Sequence, residues 1–127
     1  MDIISEVLGK NDYSSKLMGD IIRVLSLSFG RLWLSELVME IRGFRRSFGE
    51  SGEIDADEIA KAVKELKRLN VLETEEKFRS SLISGSVPDL MVKLLNVNSI
   101  LNVVRHDQRY LHYIKLRDAA LRDLKGT

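Results

Sequence analysis

With 127 residues, 44% of them hydrophobic and 31% charged, the chain has the length and composition of one globular domain with at most one appended element. Its 20 lysines and arginines offset 19 aspartates and glutamates, so local charge must decide whether nucleic acid is a partner, and the lack of cysteine excludes disulfides, thiolate metal sites and thiol nucleophiles. No apolar run approaches the roughly 20 residues that span a bilayer, and Met1-Asp2-Ile3-Ile4-Ser5-Glu6 lacks the basic and apolar regions of a secretory signal, so a cytoplasmic protein is expected.

Ile3, Ile4, Val7 and Leu8 share one helical face, which stops near Gly9-Lys10-Asn11. Ser14 or Ser15 can cap a second helix, with Leu17, Met18, Ile21, Ile22, Val24, Leu25 and Leu27 on its apolar side and its end near Gly30. Leu32-Trp33-Leu34 reads as a short extended run that places Trp33 in the core, and Ser35 caps the next helix, whose stripe of Leu37, Val38 and Ile41 runs to about Arg42. Gly43 to Glu53, rich in glycine and serine, reads as a loop. Asp55 followed by Glu58 has the spacing of a capping box, in which the two side chains reciprocally satisfy orphaned backbone N–H groups. From there Ile59, Ala60, Val63, Leu66 and Leu69 give one apolar face ending at Asn70, a residue that tolerates the left-handed conformation.

Val71 to Glu75 alternates as a strand, Glu76-Lys77 reads as a tight turn, and Phe78 to Ser84 as the return strand ending at Gly85. Ser86-Val87-Pro88-Asp89 reads as a helix start, with Leu90, Met91, Leu94 and Leu95 on its apolar side. A long helical pattern then runs from about Ser99 to Leu124, interrupted by Asp107 and Asp118. The expected class is mainly α with a small β component (α+β).

The phrase Ala62-Val63-Lys64-Glu65-Leu66-Lys67-Arg68-Leu69-Asn70-Val71-Leu72-Glu73 resembles the end of a recognition helix running into the first wing strand of a winged helix-turn-helix. Leu32-Trp33-Leu34-Ser35-Glu36-Leu37 is similar to the short strand and capped helix that open such a domain. The resemblance covers residues 13–85, leaving residues 86–127 as a C-terminal helical extension, and it is to dimeric archaeal and bacterial transcription regulators in general. It implies that the helix from Ala56 to Leu69 enters the DNA major groove while the turn near Lys77 touches backbone or minor groove. The implied DNA-contacting residues are Arg42, Arg45 and Arg46 before that helix, Lys61, Lys64, Lys67 and Arg68 on it, and Lys77 and Arg79 at the wing.

Glu53, Asp55, Asp57 and Glu58 make the front of the same helix acidic, which suits the helix dipole but repels phosphate. The alternative is therefore a winged helix used for protein contact, with the acidic front and the aromatic loop as its docking face. Phe44 and Phe48, interleaved with Arg45 and Arg46, either stack on nucleic acid or anchor the loop to the core. His106 and His112 are six apart, on different helical faces, and make no metal pair. No phosphate-binding loop, dinucleotide fingerprint or hydrolase elbow is present, so no enzyme, cofactor or metal is expected, and nothing demands a small effector. The apolar positions Tyr110, Tyr113, Ile114, Leu116, Leu121 and Leu124 need cover from the domain or a second chain. A homodimer on double-stranded DNA is the expected assembly, with Arg105, Arg109, Lys115, Arg117, Arg122 and Lys125 outside.

Overall fold

A helix that is apolar on every side has to sit inside the molecule, and the segment around Ile21 obeys that rule. In the computed structural model, which describes residues 2–83 and 85–125, α1 (Ile3–Gly9) leads into α2 (Tyr13–Leu27), and every residue of α2 from Leu17 to Ser26 is buried. Strand β1 (Arg31–Trp33) follows, then α3 (Leu34–Ser47), α4 (Ala56–Arg68), a hairpin of β2 (Leu72–Ser81) and β3 (Gly85–Leu94), and the terminal helices α5 (Val97–Val104) and α6 (Gln108–Leu124). The fold is mixed α and β, with six helices and one three-stranded antiparallel sheet of order β1-β3-β2 among the described residues. No helix among them is long and apolar enough to cross a membrane. Helices α1, α3, α4 and α5 pack around α2, and Ile21, Leu25, Leu37, Ile41, Ile59 and Leu66 lie at the centre of the core.

Several helix ends follow the local chemistry. Asn70 adopts φ 60°, and the Val71 N–H reaches back to the Leu66 carbonyl at 3.0 Å, closing α4 with a left-handed cap as its sequence predicts. At the end of α2 the left-handed residue is Phe29, also at φ 60°, one position before Gly30. Gly30 itself is buried at φ 96°, and an added Cβ would lie 3.0 Å from a Val97 methyl, so α5 seats where only glycine fits.

Other expectations are corrected. Asp12, not Ser14 or Ser15, caps α2, its carboxylate accepting the Ser15 N–H at 3.1 Å. Helix α3 begins at Leu34, with Trp33 at its cap position, and the Ser35 hydroxyl donates to Asp89 at 2.6 Å instead of capping. Trp33 is half-buried at the surface rather than in the core. The segment from Gly43 to Ser47 is helical, because Phe44 and Arg45 continue the buried face of Ile41. The α3–α4 loop is therefore shorter, and Gly49 at φ 74° ends the helix with the Glu50 N–H on the Arg45 carbonyl at 3.1 Å. The capping box at Asp55 is not closed by Glu58: Asp55 accepts the Asp57 N–H, and Glu58 receives the Tyr13 hydroxyl.

The largest difference lies in residues 86–94, where the expected helix is strand β3. Val92 and Leu94 are buried and Leu90 half-buried, a period of two that the contiguous apolar run conceals. Pro88 is compatible with this strand because β1 reaches only Trp33↔Met91. Beyond that point β3 has one neighbour, and a missing N–H can face the open side. Glu76 and Lys77 are accordingly mid-strand, paired with Leu90 and Asp89, and the hairpin reverses between Ser81 and Gly85. The hairpin thus extends past residue 85, the boundary expected for the domain; the strand end expected at Ser84, and Gly126 and Thr127 of the extension, lie outside the described residues. The long C-terminal helix is also broken. Asp107 caps α6 by accepting the Tyr110 N–H at 2.9 Å, so α5 stops at Val104 and the chain turns.

Candidate nucleic-acid interface

Helix α4 buries Ile59, Ala62, Val63 and Leu66, and its outward residues are those the 3.6-residue period leaves over. Lys61, Lys64, Lys67 and Arg68 are all exposed on that outer side. Lys61 and Lys64 have no ion-pair partner among the described residues. Lys67 donates to the Thr74 hydroxyl at 3.1 Å, which ties the helix to the hairpin without neutralising the ammonium. Arg68 forms a forked pair with Glu65, at 3.0 and 2.5 Å, which holds the Glu65 carboxyl below its ordinary range and compensates the guanidinium. At the front of the helix Glu53, Asp55 and Asp57 remain exposed.

The remaining sequence-predicted cations divide sharply. Arg46 is exposed beside Gly52. Arg42 spends two N–H groups on the Ile54 carbonyl, at 3.1 and 3.0 Å, holding the α3–α4 loop in place. Arg45 is buried and donates to Asp20 at 3.0 Å, so it cannot reach a phosphate. On the hairpin, Lys77 lies 3.7 Å from Glu75, and Arg79 donates to Asp89 at 2.8 Å. Burial pushes the Asp89 carboxyl up, but hydrogen bonds from Ser35, the Leu90 N–H and Arg79 outweigh it and hold the group below its ordinary value. Much of what surrounds those cations is acidic or apolar. Glu73, Glu75 and Glu76 line β2, while Phe78, Leu82 and Ile83 are exposed toward the hairpin end.

Sequence reasoning missed an ionic cluster that fixes the terminal helix. Fully buried Asp20 accepts from Arg23 at 2.9 Å, from Arg45, and from both Nε and Nη2 of Arg109 at 2.8 and 3.0 Å. Arg109 also grips Glu50 at 2.8 and 2.9 Å, and Arg23 reaches Asp107 at 2.7 Å and the Leu8 carbonyl at 3.1 Å. The Arg109 guanidinium lies 4.3 Å from the Phe48 ring centroid, and Phe44 packs against Tyr113 at 4.7 Å. Phe44 and Phe48 therefore anchor α6 to α3 rather than offering a stacking surface, and Arg109, expected on the outside, lies inside. A signal existed: Asp20 and Arg23 interrupt an otherwise apolar helix, and charges there must be paired. Every buried side-chain nitrogen and oxygen among the described residues has a partner, so the cluster is saturated and has no vacancy for a ligand. No group of three histidine or carboxylate side chains among them could hold a metal ion.

The Arg109 hydrogen bonds hold the Glu50 carboxyl at about 2, down from 4.5. A carboxylate depressed on folding contributes stability in full above its unfolded value, and that contribution is lost as pH falls from about 4.5 toward 2. Thermal melts of the wild type and Glu50→Gln should therefore differ near pH 6 and converge as the pH is lowered through this window. A gap that stays constant with pH would show that the Glu50 charge is not what matters.

No protein-family model, no curated protein and no solved structure matches the chain.

Proposed function

We propose that α2 through β3 form a winged-helix domain that binds duplex DNA through the second half of α4, and that the protein regulates transcription by that contact. What supports the fold reading is the element order helix, strand, helix, helix, strand, strand, joined to the sheet order β1-β3-β2. The observation that carries the DNA reading is the row Lys61, Lys64 and Lys67, at a three-residue spacing on the outward side of a helix whose other face is core. Arg46 is exposed as well, without a carboxylate partner among the described residues, whereas Arg45 is occupied and Arg42, Lys77 and Arg79 already bond other groups. The contact is mainly to phosphate, since the acidic front of the helix disfavours close approach to bases.

Fluorescence anisotropy of a labelled random-sequence duplex tests this reading. Binding at micromolar protein in low salt should weaken steadily as salt rises, because each neutralised phosphate contributes about 0.9 to the log–log slope. No binding at the lowest salt would sink it.

A second reading is favoured by one observation, the exposed Phe78, Leu82 and Ile83 on a hairpin whose outer strand carries Glu73, Glu75 and Glu76. Such a wing suits protein contact better than DNA. Substituting Leu82 and Ile83 with serine leaves DNA affinity unchanged if the wing serves protein.

A further inference from the structure

Helices α3 and α6 run antiparallel, and their contacts form a ladder with one helical turn between rungs. At the first rung the Arg109 guanidinium covers the Phe48 ring at 4.3 Å, and at the second Phe44 packs on Tyr113 at 4.7 Å. One turn further along, four residues before Phe44 and four after Tyr113, stand Glu40 and Arg117. Opposite charges on two packed helices can close such a rung directly. Here they do not: both side chains are exposed, and neither has an ion-pair or hydrogen-bond partner among the described residues. Both line a hollow of about 190 Å³, which Phe44, Tyr113 and the end of α2 at Leu27 and Ser28 also border.

We infer that this hollow binds a free amino acid with a small side chain, which closes the third rung. The inference does not depend on the DNA reading. The ligand class follows from the lining. The Glu40 carboxylate on α3 accepts from an ammonium, and the Arg117 guanidinium on α6 donates to a carboxylate. Only a molecule with both charges satisfies the two walls at once: a plain anion meets Glu40 unfavourably, and a plain cation Arg117. The C-terminal end of α2 adds partial negative charge, which favours the ammonium. The Ser28 hydroxyl, also without a partner among the described residues, is available to the ligand's side chain. The space of about six waters admits alanine, serine or threonine and excludes an aromatic amino acid.

Amide NMR of the full chain titrated with L-alanine, L-serine and L-threonine tests the proposal. At least one should shift amides of α3, α6 and the end of α2 saturably, with a Kd on the order of 1 mM, as expected for partly solvated charges. Glu40→Gln and Arg117→Gln should each weaken that binding about tenfold. The amide and the N-acetyl form of the same amino acid, each lacking one charge, should bind as poorly, and L-tryptophan should leave these amides unmoved. Both substituted residues are exposed, so the variants should keep the circular dichroism of the wild type. The bound amino acid should also slow hydrogen exchange in the second half of α6, which binding elsewhere on the chain would not do. No saturable shift with any of the three up to about 50 mM, or binding that survives both substitutions, would overturn the proposal. So would a loss of α6 protection in Glu40→Gln without ligand, because it would show that Glu40 and Arg117 bond each other directly.

Discussion

Asp20→Ala should cost the fold about 3–5 kcal/mol, a large part of the stability of a domain this size. Asp20 is fully buried and is the shared acceptor of Arg23, Arg45 and Arg109. Removing it leaves three guanidinium groups facing Glu50 and Asp107. Arg23 and Arg109 keep one carboxylate each, but Arg45 loses its only salt-bridge partner among the described residues while 9% exposed. An uncompensated buried charge is the costly outcome, more so than the net worth of any single pair. The melting midpoint followed by circular dichroism should fall by roughly 10–20 °C. Asp20→Asn, which preserves shape and one acceptor, should fall in between. An asparagine variant melting like the wild type would mean that packing, not charge, holds this junction.

The second large effect concerns binding. Replacing Lys61, Lys64 and Lys67 together with alanine should weaken duplex binding on the order of a hundredfold at moderate salt and lower the log–log salt slope by about three contacts' worth. Stability should change little, since all three are exposed and only Lys67 makes a side-chain bond, to Thr74. A control that removes the same charge elsewhere, at Lys10, Arg105 and Lys115, separates a local surface from a general effect of net charge. If the control weakens binding as much as the α4 variant, the lysine row is not the contact.

The parts of this molecule legible in its sequence are those governed by short-range rules. The apolar period of α4, the left-handed Asn70 and the apolar stripe of α2 each follow from residues within a turn of one another. Other parts are decided by tertiary partners. Leu90 to Leu94 has apolar residues on both strand faces, so helix and strand periods fit it equally, and pairing with Leu72 and Leu32 resolves it. Arg45 reads as a surface cation until Asp20, 25 residues earlier, is placed beside it. Of the nine cations the sequence nominates, only Lys61, Lys64, Lys67 and Arg46 are exposed without a carboxylate partner among the described residues. A charge count in one dimension cannot tell a spent guanidinium from a free one.

The manner in which α6 is fastened has a consequence for how the molecule opens. The helix buries no residue completely, and its hold rests on Arg109, Asp107 and the contact of Tyr113 with Phe44. Releasing it exposes far less apolar surface than unfolding the helices packed around α2. Amide hydrogen exchange should therefore find α6 opening at lower free energy than α2, baring Phe44 and Phe48 while the sheet and the α4 lysine row stay protected; equal protection of the two helices would show that they open together.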